Sequence, residues 1–360
     1  MSLPPLALEI YYRIMGHVTQ HADLSALSLC CRSFRDEAQR ELFRDPCGTN
    51  LTFVQQGKFF DVIIASAGRL ALMVKSYKLR SLARDEPDAT QARKTAVAAL
   101  HLMCNLTTLS IGDKWCIFLA TILDCPFQLH TLAFARGSGY YAQVVDPLLF
   151  DFLRKQPSLR NLTISGEKAD PVITQSLRND PMWCPNLVSL GVEAGLMDIF
   201  LAKHRPIQHL DWYSSIEIES GQSSHVSSLK YLSCSAYLMV RLPFLATFQR
   251  MTSLVLLDVY IKNARGETLL EEIYLHEDIP QLQYLILSGH VEDFSRRPGP
   301  EDVRAAFKLC PTLVYIDMSM TRDIYWDFGT FDRYHPPDSR GEMAKIVMQK
   351  DNVYAWMRTF

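Results

Sequence analysis

Nine short segments of the chain repeat one pattern, apolar-x-x-apolar-x-apolar: LTTLSI (106–111), LHTLAF (129–134), LRNLTI (159–164), LVSLGV (187–192), IQHLDW (207–212), LKYLSC (229–234), LVLLDV (254–259), LQYLIL (282–287) and LVYIDM (313–318). Their starts lie 20 to 31 residues apart and average about 26. A weaker tenth segment, VKSYKL (74–79), opens the series. The alternation at the end of each segment is that of a short strand with one face inward. Between the segments lie amphipathic stretches of helical length at Lys114–Leu123, Asp146–Lys155, Leu196–His204, Leu242–Met251, Glu267–His276 and Glu301–Leu309. Several close at a proline just before the next strand, as in Cys184-Pro185-Asn186-Leu187 and Cys310-Pro311-Thr312-Leu313. Proline has no N–H to give a helix, so it marks where helix hands over to strand. One strand and one helix cannot bury an apolar face alone, whereas a stack of such units makes a continuous core.

Period and pattern resemble leucine-rich repeats. The array is divergent, because the spacing is irregular and no Asn recurs after the third apolar position. The expected fold class is α/β: an irregular leucine-rich-repeat solenoid over residues 70–320, with parallel strands on the concave face and helices on the convex. A generic α/β fold with similar strands is the alternative, and nine matches to one template within 213 residues weigh against it.

Composition narrows the function classes. With 48% apolar and 21% charged residues in 360, the chain can build a sizeable core, which excludes disorder, collagen and a coiled-coil rod. Lys+Arg 37 against Asp+Glu 39 gives a net charge of -2, so no basic field favours nucleic acid. No run suits a membrane span, and no basic segment precedes an apolar stretch at the N-terminus. Nine cysteines without a C-x-x-C pair fit free thiols in a reducing compartment, cytoplasmic or nuclear. The sequons at Asn50, Asn105 and Asn161 are accordingly expected to stay unglycosylated. There is no G-x-G-x-x-G, Walker loop, G-x-S-x-G or H-E-x-x-H, so neither a catalytic site nor a cofactor is expected. His204 and His209 have no metal-ligand spacing, and Cys30-Cys31 fits helix core better than a ligand pair, so no metal is expected either. Cys184 and Cys310 read as small buried side chains.

Residues 6–44 follow a helical period instead: Leu6, Ile10, Ile14 and Val18, then Leu24, Leu27 and Leu29, then Phe34, Ala38, Leu42 and Phe43. Asp23 and Ser33 are the natural caps for a second and third helix. A unit this small needs support from the repeats or from a partner. Its motif is Leu6-Ala7-Leu8-Glu9-Ile10, Ile14-Met15, Asp23-Leu24, Leu27, Cys30-Cys31-Arg32-Ser33-Phe34, Ala38 and Leu42-Phe43. These residues resemble the F-box, with Ala7 where that family has proline and Leu3-Pro4 upstream. The F-box would occupy residues 1–45, a connecting segment 46–69, the repeats 70–320 and a C-terminal cap or tail 321–360.

An F-box followed by divergent leucine-rich repeats is similar to the substrate receptors of Skp-cullin-F-box ubiquitin ligases. The resemblance implies a non-catalytic adaptor whose F-box docks on the Skp adaptor and, through it, on cullin and RING protein, while the repeats hold an unknown target protein. It implies adaptor contacts by Leu6, Glu9, Ile10, Ile14, Leu24, Leu27, Cys31, Arg32 and Phe34; Ile14 and Leu27 serve core or groove equally well. An F-box protein acting without cullin, a repeat scaffold unrelated to ubiquitin, and an enzyme with a pocket in the solenoid are the alternatives.

In such strands the residues between the inward apolar positions line the concave face. Early repeats present small residues there, such as Thr108, Ser110, Thr131 and Ala133. Later ones present His209, Asp211, Tyr213, Tyr231, Asp258, Tyr260, Tyr284, Tyr315 and Asp317. Tyrosines on a rigid sheet give contact area at small entropic cost, and the carboxylates add negative potential, so these nine residues are the candidate target-binding set. Covering exposed strands is the plainer role for them. Arg84–Lys94 reads as a charged loop, and Gly341–Trp356 as one last helix capping the array or reaching for a target.

Overall fold

The computed structural model describes residues 8–18, 20–46, 51–79, 89–112, 122–135, 143–144, 147–164, 167–168, 183–192, 194–201, 205–212, 223–235, 250–262, 281–290, 299–321 and 330–353. The expected helix at Glu267–His276, and nearly all of those at Leu242–Met251 and Lys114–Leu123, fall outside them. The chain divides into two compact units, one of residues 1–141, 145–164 and 182–186 and one of 142–144, 165–181 and 187–360.

The first unit opens with α1 (Leu8–His17), α2 (His21–Cys30) and α3 (Arg32–Arg44). Helix α2 begins two residues ahead of the expected Asp23 cap, and neither α2 nor α3 carries a side-chain N-cap. Met15, Leu24 and Ala38 form the centre of the triplet, with Val18, Leu27, Phe34 and Leu42 packed against it. The triplet leans on residues 59–77 of the same unit, as its size requires. Phe43 stacks on Phe59 at 5.9 Å, Phe59 stacks on Tyr77 at 5.3 Å, and the Lys75 N–H donates to the Arg44 carbonyl at 2.9 Å.

Phe59 belongs to α4 (Phe53–Ala65), which occupies the segment expected only to connect. A capping box starts it: the Gln55 N–H donates to Thr52 Oγ1 and the Thr52 N–H to Gln55 Oε1. Phe60 and Ile63 are buried beneath it, while Gly57 in its interior disguises it as a turn in the sequence. After β1 (Ser76–Leu79), α5 (Ala89–Leu102) includes half of the stretch expected as a charged loop. Its run of alanines favours helix, and Ala96, Ala99 and Leu100 are buried.

Strands β2 (Thr108–Gly112), β3 (Thr131–Ala135) and β5 (Asn161–Ile164) complete this unit, with α6 (Pro147–Arg154) before β5. The order β1-β2-β3-β5 is parallel, and Tyr77, Leu109, Leu132 and Leu162 share one inward row. Buried Gln156, just past α6, ties that segment to the one entering β3: its Oε1 accepts the Leu129 N–H at 2.7 Å and its Nε2 donates to the Phe127 carbonyl at 3.3 Å. Cys184 is fully buried beside Trp183.

The second unit holds a short pair, β4 (Gln143–Val144) and β6 (Glu167–Lys168), and a longer ladder. That ladder runs β7 (Ser189–Val192), β8 (His209–Trp212), β9 (Tyr231–Ser235), β10 (Leu256–Lys262), β11 (Tyr284–His290) and β12 (Tyr315–Thr321), all parallel in chain order. Helix α7 (Ala194–Leu201) precedes β8 and α8 (Pro300–Leu309) precedes β12. The inward row Leu190, Leu210, Leu232, Leu257, Leu285 and Ile316 is 0% exposed throughout. One backbone bond recurs at each step: Lys230 N–H to Gln208, Val255 to Lys230, Gln283 to Val255 and Val314 to Gln283, at 2.8–2.9 Å. Repeats without an Asn ladder are joined here by main chain.

The tail reverses direction. β13 (Thr330–Tyr334) pairs antiparallel with β12, and β14 (Lys345–Gln349) antiparallel with β13, before a single turn, α9 (Lys350–Val353). The expected long helix over 341–356 is therefore a strand followed by one turn. Asp338 Oδ1 accepts the N–H groups of Arg340 and Glu342, and Gly341 takes a φ of 78°, which closes the hairpin. Ile346 and Val347 then favour strand over helix. Among the described residues, no helix is long and apolar enough to cross a membrane.

Candidate interaction surfaces

Two groups of residues were expected to meet partners, and each is split by the structure. On α1, Glu9, Ile10 and Ile14 face outward, with Ile10 43% and Ile14 49% exposed. Tyr12 is exposed beside them, and Arg40 lies over its ring at 5.8 Å. Cys31 and Arg32 are exposed at the α2–α3 junction. Leu24, Leu27 and Phe34 do not join this surface. Leu24 is 4% exposed in the centre of the triplet, Leu27 packs beside it, and Phe34 meets Tyr11 edge-on at 5.2 Å. Three short helices have few apolar side chains, and these three are used internally. Leu6 lies outside the described residues. Leu29, grouped by the sequence pattern with Leu24 and Leu27, is instead 79% exposed on α2 and was not among the residues expected at the adaptor face.

In the second unit the registers build rows across the strands. His209, Tyr231, Leu256, Tyr284 and Tyr315 form one row, and Asp211, Ser233, Asp258, Ile286 and Asp317 the next. Tyr260 lies in a third, with Ser235 and Ser288. The expected residues thus share a face, except Tyr213, which is outside the described residues. That face is not open. Tyr231, Leu256 and Ile286 form a buried cluster with Phe331 of β13 and Val353 of α9, and Tyr284 and Met348 of β14 pack against it. Tyr231 is 5% exposed, Asp258 7% and Asp317 0%, while His209, Asp211, Tyr260, Tyr284 and Tyr315 are half-buried. The reason is legible afterwards: Leu256 and Ile286 are aliphatic at lining positions and need a cover, and the tail provides it. The sequence reading had missed Leu256.

Charge on the face is held by specific partners. Arg333 donates from Nε to Asp317 Oδ1 at 2.7 Å and from its terminal nitrogen to Oδ2 at 2.6 Å, and its guanidinium lies 3.7 Å from the Tyr315 ring centroid. The bond from Asp317 raises the Arg333 pKa further. Burial raises the Tyr315 phenol, with Arg333 opposing, and burial pushes Tyr260 up to about 12. These phenols stay protonated and act as hydrogen-bond donors. Tyr231 donates to Asp258 Oδ2 at 3.3 Å. His209, edge-on to Tyr231 at 5.8 Å, has its pKa lowered by burial and then by Lys230. The face is thus aromatic and aliphatic beneath the tail, with Asp258 and Asp317 engaged by Tyr231 and Arg333. Among the described residues, no three His, Cys, Asp or Glu side chains gather to hold a metal.

No family model matches the chain, and no curated protein matches it. Among solved structures, the crystal structure of the TLR13–ssRNA13 complex is similar at 14% sequence identity with a TM-score of 0.38. The match covers 71% of this chain and 34% of that chain, so this chain spans about a third of that neighbour's length.

Proposed function

We propose that the chain is a substrate-recognition subunit of a Skp-cullin-F-box ubiquitin ligase. In this reading α1–α3 dock on the Skp adaptor, which brings cullin and RING protein, and the later repeats hold a target protein. The chemistry of ubiquitin transfer belongs to those partners, and this chain contributes binding alone.

The observation that carries the reading is the outward pair Ile10 and Ile14, one turn apart on α1, within a helical triplet whose sequence resembles the F-box. An exposed i, i+4 aliphatic pair is the kind of anchor a helix presents to a groove. Glu9 and Arg32, exposed beside it, suit the rim, where charge serves orientation more than affinity.

The test is a pull-down with the full chain beside the Ile10→Asp/Ile14→Asp double variant, with adaptor and cullin read by mass spectrometry. Both positions are solvent-exposed, so the variant is expected to stay folded while a docking face acquires two charges that cost heavily on burial. Loss of both partners from a folded variant supports the ligase reading. Adaptor without cullin in the parent sample favours an F-box protein that works outside the ligase. Capture of neither partner by the parent chain sinks the proposal.

A further inference from the structure

We propose that β14 is the contact through which two copies of this chain pair, strand against antiparallel strand about a two-fold axis. The contact is additional to adaptor docking and holds whether or not that docking occurs.

An edge strand attracts another strand unless charge, proline, a bulge or a cover blocks it. In the first unit β1 is guarded by α4: Gln56, 1% exposed, donates from Nε2 to the Lys78 carbonyl at 3.3 Å. In the second unit the ladder ends at β14, and no described strand lies beyond it. Its sequence KIVMQ has no proline, and its one charge, Lys345, is drawn back onto β13 by Asp332 at 2.9 Å. Ile346 is 49% and Val347 64% exposed. Neighbours on a strand point to opposite faces, so both faces of this edge carry an open aliphatic side chain.

The direction of the main chain follows from one bond. The His335 N–H donates to the Ala344 carbonyl at 3.0 Å, directly opposite it in the continued β13–β14 register. Hydrogen-bonded pairs alternate along an antiparallel ladder, so Ile346 and Met348 also turn their N–H and C=O groups to β13, and Val347 turns its own outward.

A second β14 related by a two-fold axis runs antiparallel to the first, and each contact between them occurs twice. When Ile346 faces Ile346 of the second copy, Glu342 faces Lys350 of the second copy. Both charged residues are exposed, and neither enters an ion pair among the described residues. A slip that sets Val347 against itself would put Glu342 opposite Asn352 and Lys350 opposite Ala344. Charge complementarity therefore selects the register centred on Ile346. So small a contact falls below the about 1,200 Å² of a standard interface, which makes the pairing weak and reversible.

The test is sedimentation velocity of the full chain over a range of concentrations. The parent is expected to pass from monomer to dimer and to stop there, because two-fold pairing uses up the edge. Val347→Pro removes an outward N–H and no bond of the β13–β14 ladder. It should stay folded by circular dichroism and dimerise at least about ten-fold more weakly; if it does not fold, Val347→Lys replaces it with the same readings. Glu342→Lys and Lys350→Glu should each weaken the dimer several-fold, and the combined exchange should restore it, since each charge then meets its opposite again. A parent that stays monomeric throughout, or a folded Val347 variant that dimerises as the parent does, overturns the proposal. Growth beyond the dimer overturns the closed two-fold pair, and a combined exchange that does not recover overturns the register.

Discussion

Asp317 and Arg333 show how one residue can decide the character of a surface. In the sequence Asp317 reads as negative potential offered to a target. In the structure it is 0% exposed and fully engaged by a guanidinium that also covers Tyr315. Removing one member of such a buried pair strands the other, at about 3–5 kcal/mol. Arg333→Ala is therefore expected to lose stability on that scale in urea denaturation, and Arg333→Met/Asp317→Leu to regain most of it. Equal stability of Arg333→Ala and parent would mean that the carboxylate finds water. His209 gives the pH counterpart. Its folded pKa lies below 6.5 because burial and Lys230 oppose the charged form. The unfolded chain then takes up the proton first, so this contribution is complete above the unfolded pKa and is lost as pH falls through about 6.5 towards the folded value. Thermal melts of the parent should fall more steeply between pH 7.5 and 5.5 than those of His209→Gln, and parallel curves would remove His209 as a source of acid sensitivity.

At the scale of elements, what the sequence discloses depends on whether an element's pattern is set by its own burial. The repeat strands β1–β3, β5 and β7–β12 were legible because a strand with one buried face must alternate, and Leu109, Leu132, Leu162, Leu232 and Leu285 all stand inward as the pattern requires, whereas the two-residue pair β4 and β6 left no such signal. Helices α6, α7 and α8 were legible for the same reason, through the amphipathic stretch before each strand. Helix α4 was not, since Gly57 interrupts its pattern and its start depends on a capping box. Strand β14 was hidden because a run such as KIVMQ suits either structure until a partner strand is present, and β13 is a long-range choice. The shared face of the later strands was half legible: strand position marks Tyr231, Asp258 and Asp317 as a group, but it does not reveal that the tail packs on Tyr231 and pairs Arg333 with Asp317. Gln156 is a polar element that no periodicity marks, and it is buried to 1% exposure between the Leu129 N–H and the Phe127 carbonyl. Gln156→Leu leaves both backbone groups unpaired, and an orphaned buried group costs about 1–3 kcal/mol. Urea denaturation should show a loss of that order; a neutral result would mean water replaces the amide.

At the scale of the whole chain, a stack in which each repeat meets its neighbours passes little from one end to the other unless some element has two alternative arrangements. Among the described residues α9 is a single turn whose Val353 is buried with Tyr231, Leu256, Ile286 and Phe331, and α1–α3 have a tightly packed centre of Met15, Leu24 and Ala38. The exposed pair Ile10 and Ile14 and the buried cluster around Val353 should consequently respond to substitution independently. The triple variant Ile10→Asp/Ile14→Asp/Val353→Ser is expected to lose the stability that Val353→Ser alone loses. Independent sites add to within about 0.5 kcal/mol. Urea denaturation of the two variants measures this directly. A difference beyond that would mean that the N-terminal helices and the tail bias a common element.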